Sequence, residues 1–536
     1  MPDIALVGIN ARFSHSNLAI RYLRNSLNKA NFSAEIFDFN INQRKEEILR
    51  ELYFCNTSCY GFSAYIWNLE ICLDIARNLK KLKECKIIFG GAQMYGCQKD
   101  FLEKYRFIDT VVSGEGEKAI VDVLKENITG IYNAQAQDFK EIPFAYIEED
   151  KESTKNKMLY YESSRGCPYR CSFCLSGDNV KVRAKDIETV KEEIAKLLEF
   201  SPHTVKIVDR TFNFDRKRAY GLIKFFGELD TEAVFHLEIC AELLQDEDFE
   251  LLKKVPKNRI QLEIGVQSTN KKTLEAINRN PVTIEKLKKL KELKNIHIHL
   301  DLIAGLPYED INSFKQSFND IFPYASMLQL GFLKVLPSTQ IKREAEKYGI
   351  VSNEKPPYEV LKTNYLSYED VNCLKEIEEC LERFHNSESF KRSLDYVIKY
   401  FSTPYDFFYE FSLFLKENKA LFESRTKKDD FYMLYDFMKR LGCESNAFEA
   451  LKYDFTVLFR GYDSHFEYNY PQDFKKQCTE LFNNEEFIEK YLCEYKGQSA
   501  KNINKYCDIH IFNICEYSVL LFERNNGKII EVTKFF

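Results

Sequence analysis

The chain has 536 residues, too many for one hydrophobic core, so three or four domains are expected. It is 45% hydrophobic and 29% charged with a net charge of −6, which fits a soluble globular protein and gives no global basic field for nucleic acid, although a local basic groove stays open. The opening MPDIALVGIN lacks a basic stretch, a long apolar run and a cleavage site, and no apolar run reaches about 18 residues, so neither a secretory signal nor a membrane span is expected.

Residues 1–140 alternate strand-like and helix-like segments. Ile4–Gly8, Ala34–Asp38, Ser58–Ser63, Lys86–Gly90 and Asp109–Val112 read as strands. Leu18–Leu27, Arg44–Leu52, Asn68–Leu82 and a segment opening at Ser113-Gly-Glu-Gly-Glu117 and running to Leu124 read as helices. This alternation predicts an α/β domain with a doubly wound parallel sheet, which binds ligands at the carboxyl ends of its strands. The turns at Gly61, Gly90-Gly91 and Gly114–Gly116 lie there. Residues 141–158 are charged and poorly patterned and read as a linker.

A second alternation covers 159–345. Its predicted strands are Leu159–Ser163, Thr204–Val208, Val234–Ile239, Arg259–Val266, His297–Ile303 and Met327–Leu333. Helical patterns lie between them at Ile187–Phe200, Arg216–Gly227, Asp246–Lys253, Lys272–Ile277, Ile284–Leu293 and Ile311–Phe318. Six β/α units fit a partial barrel, open on one side, with chemistry at the carboxyl ends of its strands. Residues 346–536 are mostly helical with dense Phe and Tyr, as in Ser367–Phe384, Phe407–Lys416 and Phe431–Leu441. Asp508–Phe522 and Lys528–Val532 read as strands around an Asn525-Asn-Gly527 turn. No internal repeat is evident.

Sixteen cysteines in a chain without a leader point to a reducing compartment, the cytoplasm. Cys72, Cys240, Cys373 and Cys380 are isolated in apolar runs and read as small buried hydrophobes. Cys167, Cys171 and Cys174 differ. They sit as C-x3-C-x2-C in the loop after the first barrel strand, spaced for one soft metal centre. A cuboidal iron–sulfur cluster normally takes four cysteines. Three ligands leave one iron open to a molecule that is not protein. A zinc site would need a fourth ligand, and none stands at a suitable spacing.

The run Gly166-Cys-Pro-Tyr-Arg-Cys-Ser-Phe-Cys174, with an aromatic before the last cysteine, resembles the radical S-adenosylmethionine (SAM) enzymes. Glu263-Ile-Gly-Val-Gln-Ser268 is similar to that family's G-x-Q-S segment, Asp301-Leu-Ile-Ala-Gly-Leu-Pro307 followed by Glu309 to its D-x-I-x-G-L-P-x-E segment, and Leu333–Thr339 to the segment closing the barrel. The N-terminal part resembles the cobalamin-binding, Rossmann-like domain of one large subgroup, through Gly90-Gly91 and Val112-Ser-Gly-Glu-Gly-Glu117. The D-x-H-x-x-G signature that supplies a cobalt-ligating histidine is absent; the loop reads Asn10-Ala-Arg-Phe-Ser-His15. The C-terminal region looks like an uncharacterised domain of the same subgroup.

The resemblance implies a 4Fe–4S cluster on Cys167, Cys171 and Cys174, with SAM on the open iron. Asp209, Glu238, Gln267 and Ser268, at barrel strand ends, are its candidate partners for SAM, and Arg183 or Arg210 for the SAM carboxylate. For cobalamin the candidates are Ser63, Gly90, Gly91, Ser113, Gly114 and Glu115. A nucleotide-binding Rossmann domain is the rival, but G-x-G-x-x-G does not follow the first strand. Asn10, Arg12, Tyr65 and Trp67 are placed to face cobalt, and His15 reads as a surface or structural histidine. Arg460-Gly-Tyr-Asp-Ser-His465-Phe is the one mixed polar and aromatic stretch of the tail, which is expected to close the barrel mouth or to serve as a packing or oligomerisation module.

The expected activity is methyl transfer to an unactivated carbon through methylcobalamin. Rearrangement or cyclisation without methyl transfer, and a non-catalytic iron–sulfur or cobalamin sensor, are the alternatives. The substrate is an unidentified small molecule, peptide or RNA, and the electron donor a flavodoxin or ferredoxin. No membrane partner is expected.

Overall fold

The structure, a computed structural model, describes residues 1–96, 99–178 and 181–536. They form two units, Met1–Val371 and Asn372–Phe536.

The first unit begins with strands β1 (Ile4–Asn10), β2 (Ala34–Asn40), β3 (Cys59–Ser63), β4 (Lys86–Gly90), β5 (Thr110–Ser113) and β6 (Gly130–Asn133). All pair in parallel, in the order β2-β1-β3-β4-β5-β6. β1 is buried at all seven positions, as a near-continuous apolar run in a two-sided parallel sheet must be. One apolar cluster joins the helix Leu69–Leu82 to one face, and another joins Leu18–Lys29 and Gly116–Lys125 to the other. Chain direction across the sheet reverses between β1 and β3, which opens a crevice at their carboxyl ends. β6 and the short helix Lys99–Lys104 are additions to the elements read from sequence; both are too short and polar to show a period.

The charged segment before the barrel is packed. Asp150 is 4% exposed and pairs with Arg24 at 2.7 Å and Arg21 at 3.4 Å. Both arginines come from the Leu18–Lys29 helix, so local pattern gives no sign of the contact.

Next come β7 (Leu159–Tyr161), β8 (Ser164–Arg165), β9 (Arg183–Ala184), β10 (Thr204–Ile207), β11 (Val234–Glu238), β12 (Ile260–Gln267), β13 (His297–Ala304) and β14 (Met327–Phe332). Six of them form a parallel open sheet, β14-β13-β12-β11-β10-β7. Side chains alternate along these strands. Val205, Ile207, Phe235, Leu237, Leu262, Ile264, Leu300 and Leu302 bury one face at 0–1% exposure. The other face, inside the curve, carries Lys206, His236, Glu238, Glu263, His299 and Asp301. A barrel core is ordinarily filled by branched apolar residues, so this lumen departs from the rule. The antiparallel pair β15 (Val351–Ser352) and β16 (Val360–Lys362) closes the unit.

The second unit is mainly helical, with Pro404–Glu417, Lys427–Leu441 and Ser445–Leu458 as its longest helices. Its phenylalanines interlock; Phe384, Phe411 and Phe437 meet at centroid distances of 4.7–4.9 Å. Its sheet is antiparallel: β17 (Cys507–Asn513), β18 (Tyr517–Glu523) and β19 (Lys528–Glu531). The strand-like segment 508–522 is therefore two strands, turned at residues 514–516, a break without glycine or proline to announce it.

Candidate active site

The cysteine loop leaves β7 and is tied down on every side. β8 and β9 clip its two ends together, Ser164 opposite Ala184 and Arg165 opposite Arg183. Gly166 turns the chain at φ +104°, where a Cβ would sit 2.7 Å from the Lys181 carbonyl oxygen. Ser172 N–H donates to the Ile277 carbonyl and Ile341 N–H to the Ser172 carbonyl. Phe173, the aromatic before the last cysteine, packs against the cluster of Leu274, Ile277, Leu306, Leu333 and Ile341. Its role is to anchor the loop.

Asp209 is the central tie. It is 0% exposed, and its two oxygens accept from the backbone N–H and the hydroxyl of both Ser163 and Ser164 at 2.5–2.9 Å. Burial raises its carboxyl while these donors oppose the shift. Asp209 does not line the cavity; it braces the loop that does. Ser268 is likewise displaced from its expected place. At 1% exposure it donates to Glu309 at 2.5 Å, behind the sheet rather than into the mouth. Both placements have one cause: a residue at a strand end can turn to either face, and only the backbone shows which.

Cys167, Cys171 and Cys174 line a cavity of about 190 Å³ with Glu238, Gln267 and Arg279. All three are free thiols; the first two are buried and the third half-buried. Burial raises the Cys171 thiol, opposed by the Arg279 guanidinium, whose Nη1 lies 3.5 Å from Sγ. That cation favours thiolate at the position where metal ligation needs it. The three sulfurs are spread too widely for one ion, since among the described residues the one set of three ligand atoms within 4.8 Å of one another is His236, Glu263 and His299. Zinc with bonds of about 2.3 Å would need sulfurs about 3.8 Å apart. A wider trio of thiols suits a multi-iron cluster, and the residues fit one.

Gln267 ends β12 at φ +70°, beside a register shift between Gly265 and Gln267. Strained backbone of this kind aims a side chain. Its Oε1 is buried without a hydrogen-bond partner, as is expected of a group waiting for a ligand. Glu238 lines the same cavity; burial raises its carboxyl, and Lys206 at 3.6 Å opposes the shift. Arg183 is committed elsewhere, to the Glu115 carboxylate and to the Gln137 carbonyl. Arg210 is exposed and lines the cavity.

A larger cavity, about 690 Å³, opens between the carboxyl ends of the two sheets of the first unit. Ser63, Gly90, Gly91, Gly114 and Glu115 line it from the first sheet, and Tyr160, Glu162 and Arg165 from the second. Gly91 has φ +101°, and a Cβ there would meet the Ala64 carbonyl oxygen at 2.7 Å, so the cradle requires glycine. Ser113 is not part of the lining; its hydroxyl accepts from Gly96 N–H at 3.0 Å and holds the neighbouring loop. Tyr65 and Trp67 stack at 4.5 Å and form a flat aromatic wall. Asn10 also lines the cavity, whereas Arg12 is exposed outside it. His15, expected as a surface or structural residue, does line it, half-buried, with Nδ1 3.0 Å from the Tyr160 hydroxyl. Volume, a broad aromatic wall and a glycine cradle fit a large planar cofactor. Arg210 and Ser176 line both cavities, so the two adjoin.

Residues 4–124 match the B12 binding domain family, and residues 161–321 match the radical SAM superfamily. The chain carries a B12-binding domain followed by a radical SAM domain. These domains imply cobalamin, a 4Fe–4S cluster and SAM. Residues 346–530 match a family described as protein of unknown function, DUF4080.

A cobalamin-dependent radical SAM methyltransferase, TokK of Streptomyces tokunonensis, is 24% identical over 347 residues, 56% of this chain and 50% of its own. The chain spans about half the length of the curated relatives it matches first. Among solved structures, the radical SAM methyltransferase TsrM from Kitasatospora setae, with cobalamin and a 4Fe–4S cluster bound, superposes with a TM-score of 0.54 at 14% identity, over 67% of this chain and 79% of its own. The cobalamin-dependent SAM radical enzyme OxsB gives 0.58 at 14% identity, over 85% of this chain and 84% of its own. These likenesses establish the fold.

Sequence motifs contain Glu263 and Asp301 without assigning them a role, and pass over His236, Arg279 and His299. A signal existed: polar residues at every second position of strands expected to be apolar inside.

Proposed function

We propose that this chain is a cobalamin-dependent radical SAM methyltransferase acting on an unactivated carbon. The observation that carries the reading is the pair of adjoining cavities, one lined by three thiols and one by a glycine-and-aromatic cradle, with Arg210 common to both. When bound, the cluster supplies the electron that cleaves SAM, and methylcobalamin supplies the methyl group. The chain's own residues hold, orient and shield. Cys167, Cys171 and Cys174 ligate the cluster, and the Arg279 guanidinium steadies their negative charge. Glu238 and the free Oε1 of Gln267 take the amino group and ribose hydroxyls of SAM, and Arg210 its carboxylate. Gly90, Gly91, Gly114, Ser63 and Glu115 cradle cobalamin, and the Tyr65–Trp67 wall keeps water from it.

None of the fifteen described cysteines forms a disulfide, in keeping with a reducing cytoplasm, and a one-electron donor of the flavodoxin or ferredoxin kind belongs to the same reading. No described helix is long and apolar enough to cross a membrane.

Anaerobic reconstitution with iron, sulfide and cobalamin, followed by SAM and titanium(III) citrate, tests the reading without a known substrate. S-adenosylhomocysteine together with 5′-deoxyadenosine supports methyl transfer. 5′-Deoxyadenosine alone indicates radical chemistry without it. Neither product, with both cofactors retained and with a panel of small-molecule, peptide and RNA acceptors also present, indicates a sensor and overturns the proposal.

A further inference from the structure

The barrel lumen holds a second set of ligating side chains, nearer the amino ends of the strands than Gln267. His236 on β11, Glu263 on β12 and His299 on β13 each offer one atom, and these atoms lie within 4.8 Å of one another. The sheet register sets this up: Glu263 lies opposite both Glu238 and His299, and all of them face inward. His236 Nε2 is 2.5 Å from Glu263 Oε2. His299 is 6% exposed, and neither of its ring nitrogens makes a hydrogen bond. Its Nε2 is 3.2 Å from Asp301 Oδ1 but lacks the alignment of a hydrogen bond, and that oxygen is unpartnered too. Buried imidazole nitrogens are normally satisfied.

Carboxyl groups crowd the same lumen. Glu238, Glu263 and Asp301 face the lumen, with Lys206 as the cation in contact, 2.9 Å from Glu263 and 3.6 Å from Glu238. Arg210 and Arg279 act on the group from farther off. A doubly charged ion would be drawn to these carboxyl oxygens, and Lys206 has Glu238 to turn to.

We propose that His236, Glu263 and His299 bind one divalent transition-metal ion of the zinc or ferrous class inside the barrel, apart from the cysteine site. Two imidazoles and one carboxylate suit zinc or iron, whereas magnesium and calcium prefer oxygen alone. Around an ion with bonds of about 2.0 Å, the His236–Glu263 contact opens to about 3.3 Å. Glu263 and Asp301 also line the cysteine cavity, so the ion is within reach of a molecule held there. This site does not depend on the methyl-transfer reading.

The test uses the full chain with cluster and cobalamin in place. It is equilibrated anaerobically with zinc sulfate, desalted, and its zinc and iron counted by mass spectrometry. The expected result is about one zinc per chain beside about four iron. In His299→Gln and Glu263→Gln zinc falls at least about tenfold while iron is unchanged. Should His299→Gln fail to fold, Glu263→Gln decides alone, its circular dichroism matching that of the parent. Zinc absent from the parent, zinc retained equally by the variants, or iron lost as zinc enters overturns the proposal.

Discussion

The two parallel sheets of the first unit share one β/α alternation but present different material at their carboxyl ends. The first sheet offers backbone and small residues: Gly90, Gly91, Gly114 and Ser63, with a stacked Tyr65–Trp67 wall. The second offers thiols and charges: Cys167, Cys171, Cys174, Arg210, Glu238 and Arg279. The difference begins in the strands. β1 is buried on both faces, so its side chains serve packing and function is left to the loops. In β10–β13 the outer face packs apolar side chains, whereas the inner face buries charged and polar ones. One sheet is a cradle for a large ligand, and the other is a reaction chamber.

Substitutions that strike one sheet and spare the other sharpen this contrast. The largest effect is expected at Gly91. Gly91→Val forces a β-branched side chain into φ +101° against the Ala64 carbonyl. Cobalamin affinity should fall about 100-fold or more, with about 1–3 kcal/mol of local strain. Iron content should not change. Equilibrium dialysis and iron analysis on the same sample measure both.

Asp209→Asn addresses the second sheet. An amide cannot accept the four hydrogen bonds that Asp209 takes from Ser163 and Ser164, and its NH₂ faces donors. A loss of about 1–3 kcal/mol is expected in urea unfolding. Iron loading should fall and cobalamin binding should hold. If iron loading were normal, Asp209 would not be the brace of the cysteine loop.

The smallest effect concerns Glu309, whose carboxyl burial raises to about 7, with Ser268 and Ser317 opposing. In the unfolded chain it ionises near about 4.3. The native state thus holds the proton more tightly. Its contribution to stability is complete below about 4.3 and is lost progressively as pH rises to about 7. Glu309→Gln should flatten that part of the pH–stability curve, followed by thermal unfolding from acid to neutral pH. A curve of unchanged slope would place the titration elsewhere.

The sequence makes the alternation of both sheets legible, because apolar runs of four or more residues punctuated by glycine leave few other readings. The cysteine trio is legible for the same local reason: its spacing lies within one loop. What sequence leaves hidden depends on direction and distance. Asp209 and Ser268 stand at strand ends, as ligand-binding residues do, yet turn into the protein. Ser113 sits among cradle residues and instead holds Gly96. Arg183 looks free until Glu115, 68 residues earlier, is seen to pair with it. His236, Glu263 and His299 are far apart in the chain, and only strand register brings them together. Among the described residues, the polar lumen was written in the sequence as period-two polarity but could be mistaken for an exposed sheet face.

The most direct test is the Cys171→Ala variant, reconstituted with iron, sulfide and cobalamin and assayed for both cofactors. Two adjoining but separate sites predict that iron and the brown absorbance are lost while cobalamin stays bound near one per chain, as in the parent. Loss of cobalamin in parallel with iron, in a chain that keeps its native circular dichroism, would contradict the account.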